Sequence, residues 1–452
     1  MERRDKRIWL CLAHMSGNEM KYVKDAFDTN WVVPLGPNVN GFEEDLQRFV
    51  DSSDPNSSQP ESPVHCPLSF DEEQGCPLTI NGCPKRPHSV VALSSGTAAV
   101  HLALIACGVK AGDEVIVQSF TFCASSHPVT YLGATPIFVD SERDSWNMDP
   151  DILEEAIRDR ISKTGHKPKA IIPVALYGMP YRIDKIMEIA SRYNIPVIED
   201  AAEGLGSRWN GRVLGTFGKY GVLSFNGNKM ITTSGGGALI CPDKAARDEI
   251  MWYATQARDA YPYYQHSAIG YNYRLSNICA GIGRGQMTVL NDHIAHHQKL
   301  AALYEQLFKD VHGIKFHKNP DERFDSNYWL NTITLDPSLK VKGEKYAYKK
   351  VVTSAIGGAG GVIHTVDNPT TDCQPNNNVE AMRMGLDAFN IEARPLWKPM
   401  HKQPIYSDSP AYVSGVAESL FKVGLCLPSG PYVSEDDVHY IVEAVKSLII
   451  TE

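Results

Sequence analysis

Between about residues 90 and 240, short apolar runs alternate with helix-like stretches, and this pattern most constrains the fold. Seven runs read as strands: Val90 to Leu93, Glu114 to Gln118, Pro136 to Val139, Ala170 to Leu176, Pro196 to Glu199, Gly221 to Phe225 and Gly237 to Cys241. Several are apolar throughout rather than alternating, as strands buried on both faces are. The segments between them, such as Thr97 to Ala106 and Ile183 to Tyr193, carry helical spacing, and Asp149-Pro150 reads as an N-cap with proline at the first helical position. Strands alternating with helices predict an α/β fold with a mainly parallel sheet between helices.

The remainder of the chain supports a two-domain reading. A helical region from Asn277 to Asp310 leads into an α+β segment with a strand at Leu330 to Leu335 and a closing helix from Ser434 to Ile449. The expected domains are therefore residues 1–310, with an N-terminal arm, and residues 311–452. A chain of 452 residues with 43% hydrophobic content is long enough for two cores. Residues 51–88, rich in Ser, Pro and Asp, read as a surface insertion, and 355–378 as a second irregular segment.

Charge and composition narrow the partners. A net charge of -9 disfavours nucleic acid and anionic membrane surfaces. The apolar run after Arg7 is too short for export and none approaches a membrane span, so the chain reads as cytoplasmic. Ten cysteines are scattered without a CxxC pair, as reduced buried thiols are. His65, Cys66, Cys76 and Cys83 form a loose cluster whose spacing matches no zinc pattern, so no metal is expected.

Candidate chemistry falls at the carboxyl ends of the expected strands, where open α/β sheets bind ligands. The run Leu93-Ser94-Ser95-Gly96-Thr97-Ala98 passes from a strand into a helix, so the Thr97 and Ala98 amides are placed to meet an anion. Ordinary capping explains the same residues. Asp200 ends another run; it is placed either to hold a protonated pyridine nitrogen or to cap the next turn. Lys229 lies in the glycine- and hydroxyl-rich loop Asn226-Gly227-Asn228-Lys229-Met230-Ile231-Thr232-Thr233-Ser234-Gly235, and Ser224 precedes it by five residues. A loop lysine is ordinarily just solvated. Asp200, Ser224 and Thr97 at matching strand ends instead suggest an amine over pyridoxal 5'-phosphate, with Phe122 available to stack on its ring or to serve as core.

These residues resemble the DegT-type, fold-type I nucleotide-sugar aminotransferases. The motifs SSGTAA, TFCAS, EDAAEGLGS, SFNGNK and GYNYRLSN occur in that order, and similarity runs from Leu12-Ala13-His14 to Pro428-Ser429-Gly430 outside the two insertions. The resemblance implies a Schiff base at Lys229, Asp200 on the pyridine nitrogen, phosphate contacts from Thr97, Ala98 and Ser224, and Phe122 against the ring. It also implies that Asn272 serves the neighbouring subunit's phosphate site in a homodimer, and that Glu203, where relatives often have Gln or His, meets the cofactor's phenolic oxygen.

The subgroup most resembled is the UDP-4-amino-4,6-dideoxy-N-acetylglucosamine transaminases, through GNKMITTSGGG, Thr255-Gln256-Ala257-Arg258 and Arg394-Pro395-Leu396-Trp397-Lys398 with Met400-His401. The histidine that many relatives carry before Leu-Tyr-Gly is Ala175 here, so its substrate role does not transfer. The implied reaction moves the L-glutamate amino group to the C-4 ketone of a UDP-4-keto-6-deoxy-N-acetylhexosamine. His266, Arg394, Lys398 and His401 are candidate contacts for the nucleotide diphosphate. Alternatives are amination at C-3 or of a GDP- or dTDP-linked sugar, a C-3 dehydratase (which replaces the lysine with histidine) and a non-catalytic relative.

Overall fold

In the computed structural model, which describes residues 2–52, 88–346 and 373–450, all seven expected strands form. They are β1 (Ser89–Leu93), β2 (Glu114–Gln118), β3 (Thr135–Val139), β4 (Ala170–Ile172), β5 (Ile198–Asp200), β6 (Tyr220–Ser224) and β7 (Gly237–Cys241). Their order is β3-β2-β4-β5-β6-β7-β1, with β4 and β5 joined through the Ile171–Val197 and Val174–Asp200 bridges. Only β7 runs against its neighbours, β1 and β6. Ala411–Tyr412, from late in the chain, pairs parallel with β3 at the outer edge.

Successive strand residues face opposite ways, so the sheet feeds two cores. Val90, Ala92, Ile116, Ile137, Ile171 and Ile240 pack with Phe42, Leu153, Ile157 and Ile186. Val91, Leu93, Val117, Phe138, Ile172 and Leu239 pack instead with Leu102, Leu104 and Ile250. Burying each such side chain stabilises the fold by roughly 1.5–3 kcal/mol relative to exposure.

A third core lies under the antiparallel sheet formed by Ile314–Phe316, Asn331–Leu335, Gly424–Leu427 and Arg394–Pro395. It includes Ile333, Leu425, Leu386, Ile441 and Val445, the last two from the helix Glu435–Leu448. That helix starts with a capping box between Ser434 and Asp437. The N-terminal arm crosses both regions: Ile8 bridges Ile391, the Ser429 amide donates to the Leu10 carbonyl, and the Cys11 thiol reaches the Asn228 carbonyl.

Two expected boundaries change. The regular strand beginning at Ala170 ends at Ile172, where Pro173 has no amide to donate; Val174 still bridges Asp200, and the chain turns away only at Tyr177, left-handed at φ 54°. The single helical region from Asn277 to Asp310 is two helices, Asn277–Met287 and Leu290–Phe308; the Thr288 hydroxyl donates to the Gly285 carbonyl at the break. Most of residues 51–88, including His65, Cys66, Cys76 and Cys83, and most of 355–378 lie outside the described residues. Asp51 and His88, at the two ends of the first insertion, meet at 2.6 Å.

Gly237 lets β7 approach the turn after β1. A methyl group there would stand 2.4 Å from the Gly96 nitrogen and from the Ser95 carbonyl carbon, both backbone atoms that cannot swing away. Gly237→Ala is expected to destabilise the fold by about 1–3 kcal/mol, read as a lower denaturant midpoint.

Candidate active site

Asp200, the last residue of β5, is buried. The Ser125 hydroxyl donates to its Oδ2 at 2.6 Å and the Ala202 amide to its Oδ1 at 3.2 Å. Thr121 in turn is 2.8 Å from the Ser125 hydroxyl. Burial raises the Asp200 carboxyl above the ordinary range, opposed by these hydrogen bonds and by Lys229.

Lys229 extends from the loop between β6 and β7, its amide anchored on the Asn226 carbonyl at 3.0 Å. Its Nζ lies 3.4 Å from Glu203 Oε1 and 4.0 Å from the centroid of Trp329, and its side chain is 13% exposed. The other Glu203 oxygen accepts the Tyr177 amide at 2.7 Å. Burial pushes the Glu203 carboxyl up to about 7, although Lys229 and that amide pull it down.

A raised carboxyl gives a signed prediction. The native chain holds a proton on Glu203 that the unfolded chain releases between pH 4.5 and about 7, so this contribution to stability is lost as pH rises through that window. It amounts to about 3 kcal/mol. Glu203→Gln is expected to flatten that much of the decline between pH 5 and 7.5, measured by urea unfolding of cofactor-free protein; an unaltered slope contradicts it.

The turn after β1 forms a cradle beside this cluster. Ser95 caps the helix Gly96–Ala106 by accepting the Ala98 amide at 3.0 Å. The Ala98 amide, expected to face an anion, therefore already has a hydroxyl partner; Thr97 sits half-buried on the same first turn. A side chain at Gly96 would meet Ser224 Cβ at 3.1 Å, so Ser224, at the end of β6, closes the cradle from the side.

Phe122 is 53% exposed, with its ring 5.4 Å from that of Trp397. Both line a cavity of about 430 Å³ with Thr121, Cys123, Lys398 and Met400. Of the four proposed diphosphate contacts, Lys398 is the one on this cavity wall. Two of the others have side-chain partners within the chain. The Arg394 guanidinium is engaged by Glu392 at 2.6 and 3.0 Å. His401 has both ring nitrogens occupied, by Ser119 at 2.6 Å and Glu418 at 3.2 Å, with its side chain only 6% exposed. His266 is exposed and bonded to the Gln256 carbonyl. Asn272 is exposed too, bridged to Thr255 and adjacent to Tyr273, whose carbonyl takes the Ser94 amide.

Three contacts of this cluster escaped the sequence reading. Ser125 lay within the TFCAS motif and Tyr177 within the Leu-Tyr-Gly run without being singled out, and nothing local marked Trp329, whose partners are distant in sequence.

The DegT/DnrJ/EryC1/StrS aminotransferase family model matches residues 85–356 and 363–446. The chain belongs to this family. It is 39% identical to EpsN of Bacillus subtilis, provisionally named a pyridoxal phosphate-dependent aminotransferase, covering 99% of this chain and 97% of that one. It is 32% identical to the GDP-perosamine synthase of Escherichia coli O157:H7, covering 96% of each. Among solved structures, a DegT/DnrJ/EryC1/StrS aminotransferase from Brucella abortus superposes with a TM-score of 0.74 at 25% identity, over 95% of each chain.

Family membership makes the protein a sugar aminotransferase that uses pyridoxal phosphate. The residues present fit that group: a buried carboxylate, an amine beside it, and a glycine cradle flanked by hydroxyls at a helix start. Among the described residues no helix is long and apolar enough to cross a membrane.

Proposed function

We propose that the protein moves the amino group of L-glutamate to the C-4 ketone of a UDP-4-keto-6-deoxy-N-acetylhexosamine, with Lys229 as the lysine that carries the cofactor. One observation carries the choice of substrate. Trp397, Lys398 and Met400, from the run that resembles the UDP-sugar subgroup, line the cavity beside Phe122.

Bound pyridoxal phosphate supplies an electron sink for the bonds at the amino-bearing carbon. Asp200, its carboxylate held in place by Ser125 and Ala202, would keep a proton on the pyridine nitrogen. The Thr97 turn and Ser224 would hold the phosphate. Phe122 would stack on the ring, and Glu203 would meet the phenolic oxygen. Lys229, once its amine is free, moves the proton at the substrate carbon as general base and acid. Lys398, on the cavity wall, supplies a cation for the diphosphate.

Asn272 completes the phosphate site of a second copy, which makes the enzyme a homodimer. Exposed Phe27, Trp31, Val32, Val33 and Leu35 supply an apolar face of the kind such an interface covers. Light scattering should give twice the 50.0 kDa chain mass.

A second reading, a GDP-linked substrate, is favoured by the 32% identity to the GDP-perosamine synthase. Incubation with glutamate and each of the UDP- and GDP-linked 4-keto-6-deoxy sugars decides between them. The expected result is 2-oxoglutarate release and an aminated UDP-sugar; product from the GDP-sugar alone overturns the first reading.

A further inference from the structure

Lys229 is held by more than its own loop. The carbonyl of Asn228, one residue earlier, accepts two side-chain donors from remote parts of the chain: the Trp329 indole Nε1–H at 2.6 Å and the Cys11 thiol at 3.2 Å. Burial pushes the Cys11 thiol up to about 12, so it keeps its proton and remains a donor. The face of the same indole lies 4.0 Å from Lys229 Nζ, while Glu203 stands 3.4 Å from that nitrogen. Trp329 therefore contacts this loop at both ends, the backbone before the lysine and the tip of its side chain.

The indole is itself fixed. Trp329 is buried, and its amide donates to Asn327 Oδ1 at 2.8 Å. The Asn327 side-chain amide donates in turn to the carbonyls of Glu203 and Leu205, at 2.8 and 2.9 Å. One asparagine thus ties the two groups that flank the ammonium into a single rigid unit.

We propose that Trp329 is the positioning residue of Lys229: its N–H fixes the loop, and its face, with Glu203, forms a berth for the ε-ammonium whenever that amine is free. The inference rests on Lys229 being the cofactor lysine and names what holds the amine when it is not so engaged. An aromatic face attracts a cation most strongly where water is excluded, yet it makes no directional bond that would hinder departure. A carboxylate alone would hold the charge more tightly and at a fixed angle. Phenylalanine at 329 would keep the face and lose the N–H; leucine would fill the space and supply neither.

The test uses the full-length, cofactor-free protein. Acetic anhydride must reach the amine nitrogen, so the indole face and Glu203 packed against Nζ slow its reaction with Lys229, followed on the Lys229 peptide by mass spectrometry with exposed Lys110 as internal reference. Trp329→Leu is expected to raise the Lys229 rate about 5- to 10-fold, and Trp329→Phe to keep it within about twofold of wild type. Both variants should speed amide hydrogen exchange over residues 226–230, since both lose the Nε1–H. A general packing defect would not be reversed in the acylation assay by restoring a ring.

An unchanged Lys229 rate in the leucine variant overturns the berth. Should that variant fail to fold, the phenylalanine variant decides, because unchanged exchange at 226–230 also overturns the proposal. Borohydride reduction of the wild-type holoenzyme and peptide mapping test the covalent role separately. A negative result there removes Lys229 as the cofactor lysine, while the acylation ratio still decides the berth.

Discussion

Lys229→Ala is expected to lower glutamate-dependent turnover of the holoenzyme by at least about 10³-fold and to abolish cofactor fixation by borohydride, with the fold retained. A positioned acid–base group contributes roughly 10²–10⁴-fold, and the alanine also removes the covalent attachment. Retention of the fold follows from the neighbours. Removing the cation would strand a buried anion at Glu203 if that group were obligately charged. It is not: burial already pushes its carboxyl up to about 7 with the lysine present, so it takes up a proton instead. Lys229→Arg offers a charge to Trp329 and Glu203 but no nucleophile, and should be as inactive as the alanine variant. Circular dichroism and turnover measured on the same preparations check both halves. An alanine variant that keeps a tenth of wild-type turnover would remove Lys229 from its role.

The sheet was legible because each strand is a short apolar run whose length and flanking turns leave little alternative, as in Glu114–Gln118 and Gly237–Cys241. The ends of runs were less so. The apolar character that starts at Ala170 continues through Leu176, but the backbone after Ile172 serves the site, with the Tyr177 amide committed to Glu203. Hydrophobicity does not encode that commitment. At the site, Asp200 could be singled out because it ends an apolar run, where position is itself a chemical argument, and Lys229 because of the glycine- and hydroxyl-rich loop around it. Trp329 and Cys11 were not, because their meeting at Asn228 joins segments about 100 and 217 residues distant, and no local period records it. Arg394 is a different case. Glu392 is two residues away in an extended segment, so the two side chains share a face and the pairing was available from spacing alone. The Glu418 partner of His401 was not available in that way.

Asp200→Asn should separate chemistry from architecture by giving effects of opposite sign in the two forms of the protein. Asparagine keeps the side chain's shape and an oxygen to accept the Ser125 hydroxyl, so the hydrogen-bonded frame of Thr121 and Ser125 persists, while its amide nitrogen cannot accept the Ala202 amide and that bond, worth about 1 kcal/mol, is given up. What disappears is the buried charge. Without cofactor that charge is unfavourable, since burial is the largest influence on the Asp200 carboxyl and raises it. The neutral variant should therefore melt at the same temperature or higher. With cofactor the charge has a cationic partner in the protonated pyridine ring. Removing one member of a buried pair costs about 3–5 kcal/mol, which predicts a fall in kcat/KM between about 10² and 10⁴-fold. Ser125→Ala leaves the charge in place and removes one hydrogen bond to it, a smaller loss of about 1.5–3 kcal/mol. Thermal melts without cofactor and steady-state kinetics with it provide the two readouts. If the asparagine variant melts lower without cofactor and turns over normally with it, Asp200 is a cap for the Ala202 turn and the electrostatic role is lost.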